Sequence, residues 1–302
     1  MSQFIVVFVC LLAGFSLRRI RQVNGAQMGA ALNAVVIYVA LPALTITQIH
    51  GMTINGHVMM AAAMPWVSFI LAAGWSLALG RMFGWSRGTI GMMTLTTGLG
   101  NTSFLGFPLI EAVLGKEGLP TAIISDQLGS FAVVSTLGII VASAYAPVEH
   151  PSGDSIWQRV IKFPPFMATM FALATRGIDF PVEILSAFER IGMTLTPLAL
   201  MSVGSRIEIN FGIFRQYWRR LAIGLGLKLL IAPIVILLVI QLMGFEIEIS
   251  QRVMILEAAM PSMITGYLIG VEHNLDEKLG SLMVTVGIPI AMVSIPLWAW
   301  IL

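Results

Sequence analysis

Apolar residues in this 302-residue chain do not alternate with polar ones at a helical or strand period; they come in long runs separated by short charged or turn-rich stretches. A helix crossing a bilayer needs about 20 apolar residues, and fewer when it is broken and packed inside protein. Ten segments fit, near 3–17, 28–49, 58–80, 88–115, 119–145, 161–176, 182–206, 219–243, 250–271 and 277–302. The pattern therefore predicts an all-helical, polytopic membrane protein. The longest gap, after Ala146, carries Pro147, Pro151 and Gly153 and reads as a linker, too short for a soluble domain.

Composition sharpens this picture. Hydrophobic residues make up 57% of the chain and charged residues 11%, against about 45–50% and about 25% in soluble domains. Mean hydropathy is +0.90. A formal charge of +2 is too close to balance for a nucleic-acid binder. The single cysteine, Cys10, excludes an intrachain disulfide framework and a cysteine-based zinc site. No cofactor is implied.

The first segment has no basic residue before it, whereas Arg18, Arg19 and Arg21 follow. That is the reverse of a secretory signal, so it reads as a retained helix with its N-terminus outside. Ten spans then place Arg18, Arg19, Arg21, Arg81, Arg87, Arg159, Lys162, Arg206, Arg215, Arg219, Arg220 and Lys278 on the cytoplasmic side. Lys116, Arg176, Arg190 and Arg252 fall outside, and Lys228 is left within a span. A split of 12 to 4 obeys the positive-inside rule and puts both termini outside the plasma (inner) membrane.

The linker divides the chain into two five-span halves, 1–145 and 161–302, joined by 146–160. An odd number of spans per half inverts the second half relative to the first. The echoes agree: ALPAL around Pro42 answers LTPLAL around Pro197, and LGNTSFLGFP (Leu99–Pro108) in span 4 answers AAMPSMITG (Ala258–Gly266) in span 9. Pro108 and Pro261 lack an N–H and clash with the carbonyl one turn back, so both spans are predicted to break. Broken backbone at membrane depth persists only where protein or a wet cavity satisfies it. The half-helix ends then present partial charges to whatever enters.

Four stretches carry a family resemblance over essentially the whole chain: GLGNTSFLGFPLIEAVLG (Gly98–Gly115), SDQLG (Ser125–Gly129), TPLALMSVGSRI (Thr196–Ile207) and AAMPSMITGYLIG (Ala258–Gly270). They resemble the auxin efflux carrier family, whose members include bacterial carriers assigned to malonate and other organic acids and the plant PIN auxin exporters. The resemblance implies ten helices in two inverted repeats, with helices 4 and 9 broken and crossing at Asn101–Pro108 and Met260–Gly266. It further implies a scaffold (spans 1, 2, 6, 7), a moving core (spans 3–5 and 8–10) and a homodimer. Unlike in the plant exporters, the linker is short, so phosphorylation control through a long loop is not expected.

Polar residues in the apolar spans are the candidate chemistry, because burying them is costly. Asn101, Thr102, Ser103 and Ser262 stand at the breaks as donors and acceptors for a carboxylate. With Gly106, Pro108, Gln127, Pro261 and Met263 they make up the candidate substrate-binding set. Asp126 either takes a proton or cation or serves as a structural acceptor for unwound N–H groups of span 4. Glu257, four residues before Pro261, either binds a proton or cation or takes a structural role or ion pair; its placement resembles the acidic sodium ligand of bile acid:sodium symporters. Lys228 snorkels to the interface, acts as a counter-charge to Asp126 or Glu257, or attracts an anion. Glu111 faces the outer vestibule. His50, His57, His150 and His273 lie at span ends without metal-ligand spacing, and the tryptophans read as packing and interfacial anchors.

The reading is a secondary transporter of a small organic anion, by alternating access, with H+ or Na+ as the candidate coupling ion. The alternatives are a sodium-coupled carrier of the bile acid symporter type and a ligand sensor that moves nothing. No HExxH, GxSxG or paired intramembrane aspartate motif argues for an enzyme.

Overall fold

The computed structural model describes residues 2–17, 24–50, 56–147, 163–175, 177–205 and 211–302. Every element among them is helical. In chain order the α-helices are α1 (Ser2–Leu17), α2 (Gly25–Val35), α3 (Leu41–His50), α4 (Gly56–Met82), α5 (Arg87–Gly98), α6 (Phe107–Leu114), α7 (Leu119–Ile124), α8 (Phe131–Val133) and α9 (Ile139–Tyr145). They continue as α10 (Pro164–Ala174), α11 (Val182–Gly192), α12 (Leu195–Ser205), α13 (Phe211–Gly226), α14 (Ala232–Leu242), α15 (Ile249–Ala258), α16 (Ile264–Glu272) and α17 (Glu277–Ile301).

Among the described residues, six continuous stretches are long and apolar enough to cross a membrane: Gln27–His50, Met59–Met82, Lys116–Tyr145, Val182–Ser205, Gly212–Leu242 and Glu277–Ile301. They coincide with the expected second, third, fifth, seventh, eighth and tenth segments. The first and sixth are shorter apolar helices, Ile5–Leu17 and Pro164–Ala174. The fourth and ninth are interrupted. Arg18, Arg19, Arg21, Arg159, Lys162, Arg176, Arg206, His150, most of the linker and the side chain of His57 lie outside the described residues.

Several of these stretches stay helical by widening a turn. Val36–Ala40, Thr102–Gly106 and Leu227–Ile231 are π-helical, and each ends two residues before a proline: Pro42, Pro108 and Pro233. A proline cannot donate to the carbonyl four residues back and its ring crowds that carbonyl. Opening the turn to an i→i+5 pattern relieves the clash without ending the helix. Pro108 therefore does not break span 4; the π turn before it runs directly into α6, whose first turn holds the proline.

The carbonyls that wide turns set aside still need donors in an apolar interior. Trp66 Nε1 donates to the carbonyl of Leu128 (3.3 Å), inside the π segment Ser125–Ser130, and Trp298 Nε1 donates to that of Leu229 (2.9 Å), inside Leu227–Ile231. These two indoles act as internal donors rather than interfacial anchors.

α12 packs along α1 and α2, and α3 packs along α10 and α11. Close approach of α1 and α12 rests on Gly14 and Gly204: a methyl on either would overlap a main-chain carbonyl of the other helix, Met201 or Leu11. The Ser202 hydroxyl bonds Asn33 and the Gly29 carbonyl. A second group forms from α4 to α9 and α13 to α17, with α5 packed against α4, α9, α16 and α17.

Candidate functional site

Two stretches of non-helical backbone interrupt the expected fourth and ninth spans. α5 ends at Gly98, and Leu99 is extended (φ −108°, ψ 119°); α15 ends at Ala258, and Met263 is extended (φ −69°, ψ 130°). The two breaks satisfy each other. The Asn101 N–H donates to the Pro261 carbonyl (2.8 Å) and the Met263 N–H to the Leu99 carbonyl (2.9 Å), with Gly100 and Ser262 forming an antiparallel bridge. This reciprocal pair is what a local two-fold axis through Gly100 and Ser262 would generate. The Ser262 hydroxyl adds a bond to the Thr96 carbonyl (2.7 Å) near the end of α5.

The irregular stretches are shorter than the sequence suggests. The first is 99–101 rather than Asn101–Pro108, because Thr102–Gly106 continues as a π turn into α6. The second is 259–263, since Gly266 is already helical. The glycine at position 100 is dictated by its neighbours. A Cβ there would stand 3.2 Å from the Glu257 carbonyl oxygen and 3.2 Å from Lys228 Nζ.

Asp126 is buried, and its carboxylate is fully engaged. Oδ1 accepts from the hydroxyls of Thr102 and Ser103 (the latter at 2.9 Å), and Oδ2 accepts from Gln127 Nε2 at 2.6 Å. The structural partners are side-chain hydroxyls of the segment after the break, not its N–H groups. Glu257 is equally buried, yet neither carboxylate oxygen has a hydrogen-bond partner of ordinary geometry; its polar neighbours are Ser125, Asp126 and Lys228. Lys228 is only 2% exposed and points inward from its wide turn. Asn101 Nδ2 and Gln127 Oε1 are also buried without partners.

Thr102, Lys228 and Glu257 line one small cavity, together with Gly98, Gly100, Ser125 and Ser130 and the α4 residues Met64, Pro65 and Ser68. Its volume is about 20 Å³, room for roughly one water. Asn101, Pro261, Ser262 and Met263 form the paired breaks behind it. Ser103 and Gln127 reach the site through Asp126, and Gly106 packs over the Asn101 carbonyl, to which its N–H donates (2.9 Å). Pro108 lies within α6, away from the cavity lining. Missed from the sequence were Ser125, Ser130 and the α4 wall; Pro65, in mid-helix, was the available signal.

A second group surrounds Glu111, which accepts from Thr196 Oγ1 (3.4 Å). Beside it Lys116 pairs with Glu189 at 3.0 Å, both about half-exposed. His50 stacks obliquely on Phe180, and His273 contacts the Ile269 carbonyl and Ser143.

The family model described as "Membrane transport protein" matches residues 1–299. The chain belongs to this membrane transport protein family. It is a multi-pass membrane protein of a transporter family, and the resemblance drawn from the span-4 and span-9 motifs is borne out. It is 26% identical over 299 residues to a protein of Methanothermobacter thermautotrophicus named "Uncharacterized transporter", covering 98% of this chain and 96% of the relative. It is likewise 26% identical over 316 residues to "Uncharacterized transporter MJ1031" of Methanocaldococcus jannaschii, covering 100% and 98%. A Rhizobium meliloti relative named "Putative malonate transporter" is 23% identical over 304 residues, covering 95% and 91%.

Proposed function

We propose that this family member is a secondary transporter of a small organic anion, working by alternating access. The observation that carries the reading is the buried cavity beside two helix breaks that hydrogen-bond to each other. Helix N-termini start at Thr102 and Ile264 and turn partial positive charge toward the breaks. Asn101 keeps an unused amide donor next to Gly100 and Thr102. A carboxylate can be held by these groups without a buried arginine. The Rhizobium relative's name supports a small carboxylate as cargo.

The architecture we infer has ten spans in two inverted repeats, 1–145 and 161–302, with spans 4 and 9 crossing at the breaks. The scaffold is spans 1, 2, 6 and 7, and the core is spans 3–5 and 8–10. Apart from the Thr196–Glu111 and Lys116–Glu189 contacts, which join the two groups, the interhelical hydrogen bonds described above support that division. Ser202 with Gly29 and Asn33 ties scaffold to scaffold, whereas Asp126 with Thr102 and Ser103, Trp66 with Leu128, and Trp298 with Leu229 tie core to core. A cavity with room for one water is smaller than any dicarboxylate, so its walls must part to load cargo. The charge split argues for both termini outside the plasma membrane, and a homodimer follows the family resemblance.

Reconstituted proteoliposomes test the reading. Saturable malonate counterflow, or flux of another acid in a panel of dicarboxylates, monocarboxylates and indole acids, is expected, falling at least about tenfold in Asn101→Ala, as loss of a buried hydrogen bond to a charged group implies. Absence of flux across the panel would overturn it.

A further inference from the structure

The N-terminal halves of the breaks suit an anion, but the opposite ends have their own electrostatics. α5 and α15 both terminate at this cavity, so their C-terminal carbonyls bring partial negative charge to it. The Glu257 carboxylate stands there buried and without a hydrogen-bond partner of ordinary geometry, with Ser125 and Asp126 nearby. Such a concentration of negative charge in a water-poor interior has to be offset, by protons on the carboxyl groups or by a cation beside them. Among the described residues Lys228 is the one cationic side chain lining the cavity, and its Nζ and the Glu257 carbonyl oxygen each lie 3.2 Å from the point where a Cβ on Gly100 would stand.

We propose that the Lys228 ammonium is the resident, tethered cation of this site, and that removing it uncovers a binding site for a free alkali cation. The donors left facing the cavity would be oxygens: the Glu257 carboxylate and carbonyl and the Ser125 hydroxyl. An all-oxygen set suits a hard cation. With the lysine in place, a sodium ion entering the same cavity meets a like charge a few ångströms away. The wide turn Leu227–Ile231, opened by Pro233, carries the lysine inward from its helix. It follows that the wild-type carrier moves its cargo without sodium, which disfavours the sodium-coupled alternative. The inference rests on the proposed transport reading only for that last consequence. The site itself is a statement about charge and geometry.

The test uses full-length protein in detergent, unfolded thermally in sodium chloride or choline chloride at equal ionic strength and pH. Wild type is expected to show the same midpoint in both salts. Lys228→Ala should gain a saturable stabilisation by sodium that grows with the logarithm of concentration above Kd, and Glu257→Gln in that background should abolish it. A sodium-specific shift in wild type overturns the proposal. So does a Lys228→Ala protein that behaves alike in sodium, potassium and choline. Should Lys228→Ala not be recoverable in any salt, the neutral pair Lys228→Met with Glu257→Gln decides. It is expected to fold and ignore sodium, because removing both charges removes the need for a cation, and its failure to fold counts against the idea. No organic substrate enters this assay, so its failure leaves the anion-transport reading standing, and absent flux leaves this one standing.

Discussion

Asp126 offers the sharpest separation between a structural and an ion-carrying carboxylate. It accepts three hydrogen bonds, from Thr102, Ser103 and Gln127, and none of its partners is a cation. Truncation to alanine strands three buried donors. Hydrogen bonds to a charged group contribute about 1.5–3 kcal/mol each, and a stranded donor costs about 1–3 kcal/mol. The two hydroxyls can swing toward main-chain carbonyls one turn back, as serine and threonine do in helices; the Gln127 amide has no such freedom. Asp126→Ala is therefore expected to cost roughly 3–5 kcal/mol.

Asp126→Asn should be much milder. Its amide oxygen keeps both hydroxyl bonds, while its new NH2 would face the Gln127 NH2. Gln127 can resolve that conflict by flipping, because its own oxygen has no partner to lose. The expected cost is about 1–2 kcal/mol, the difference between charge-assisted and neutral bonds. Adding Gln127→Leu to each background closes a double-mutant cycle, with a coupling of about 1 kcal/mol expected between the two positions. Unfolding of purified protein, followed by tryptophan fluorescence, gives the ranking. If Asp126→Asn were as damaging as Asp126→Ala, the carboxylate's charge rather than its acceptor geometry would be what matters. If both variants unfolded like wild type while flux was lost, Asp126 would belong to ion coupling and its structural role would be refuted.

Other substitutions have defined outcomes. Gly100→Ala places a methyl 3.2 Å from Lys228 Nζ and from the Glu257 carbonyl; a destabilisation of about 1–3 kcal/mol and loss of flux are expected, measured by thermal unfolding and counterflow. Gly204→Ala pushes α12 off the Leu11 carbonyl and is expected to cost at least about 2 kcal/mol, with greater damage than Gly226→Ala, where a Cβ meets nothing within 4 Å. Lys116→Glu should cost no more than about 1 kcal/mol, because the pair with Glu189 is half-exposed; if that pair latches the outer face, flux changes more than stability, and the swap Lys116→Glu with Glu189→Lys restores it.

The legible part of this protein was whatever depends on long-range composition. Apolar run length located the six continuous stretches, and the breaks in spans 4 and 9 followed from proline and glycine in otherwise apolar sequence. Their extent was misread because a proline was taken as the break itself. Pro108 lies in the first turn of a resumed helix, and the extended backbone begins at Leu99, where a partner strand-like segment exists to pair with it. No local rule could supply that partner, 162 residues away in sequence from Gly100 at Ser262. The candidate charges were legible as a short list, but their roles depended on contacts from other helices. Asp126 and Glu257 look alike in sequence; one is surrounded by three donors, the other by none of ordinary geometry.

That contrast bears on how the molecule could move. The bonds around Asp126 and the pairing of the two breaks all lie within the group proposed as the core, so the core can rotate with its site intact. The two contacts described between core and scaffold, Lys116 with Glu189 and Thr196 with Glu111, are side-chain bonds at one end, with solvent within reach of the ion pair. An exposed ion pair holds at most about 1 kcal/mol, and a 3.4 Å hydroxyl–carboxylate contact is weak. Parting that face therefore costs little in polar terms, whereas separating the breaks would strand two main-chain pairs and a serine bond in an apolar interior, at several kcal/mol. On these energies the proposed motion would carry the breaks as one rigid unit, with the Lys116–Glu189 and Thr196–Glu111 contacts opening and closing around them.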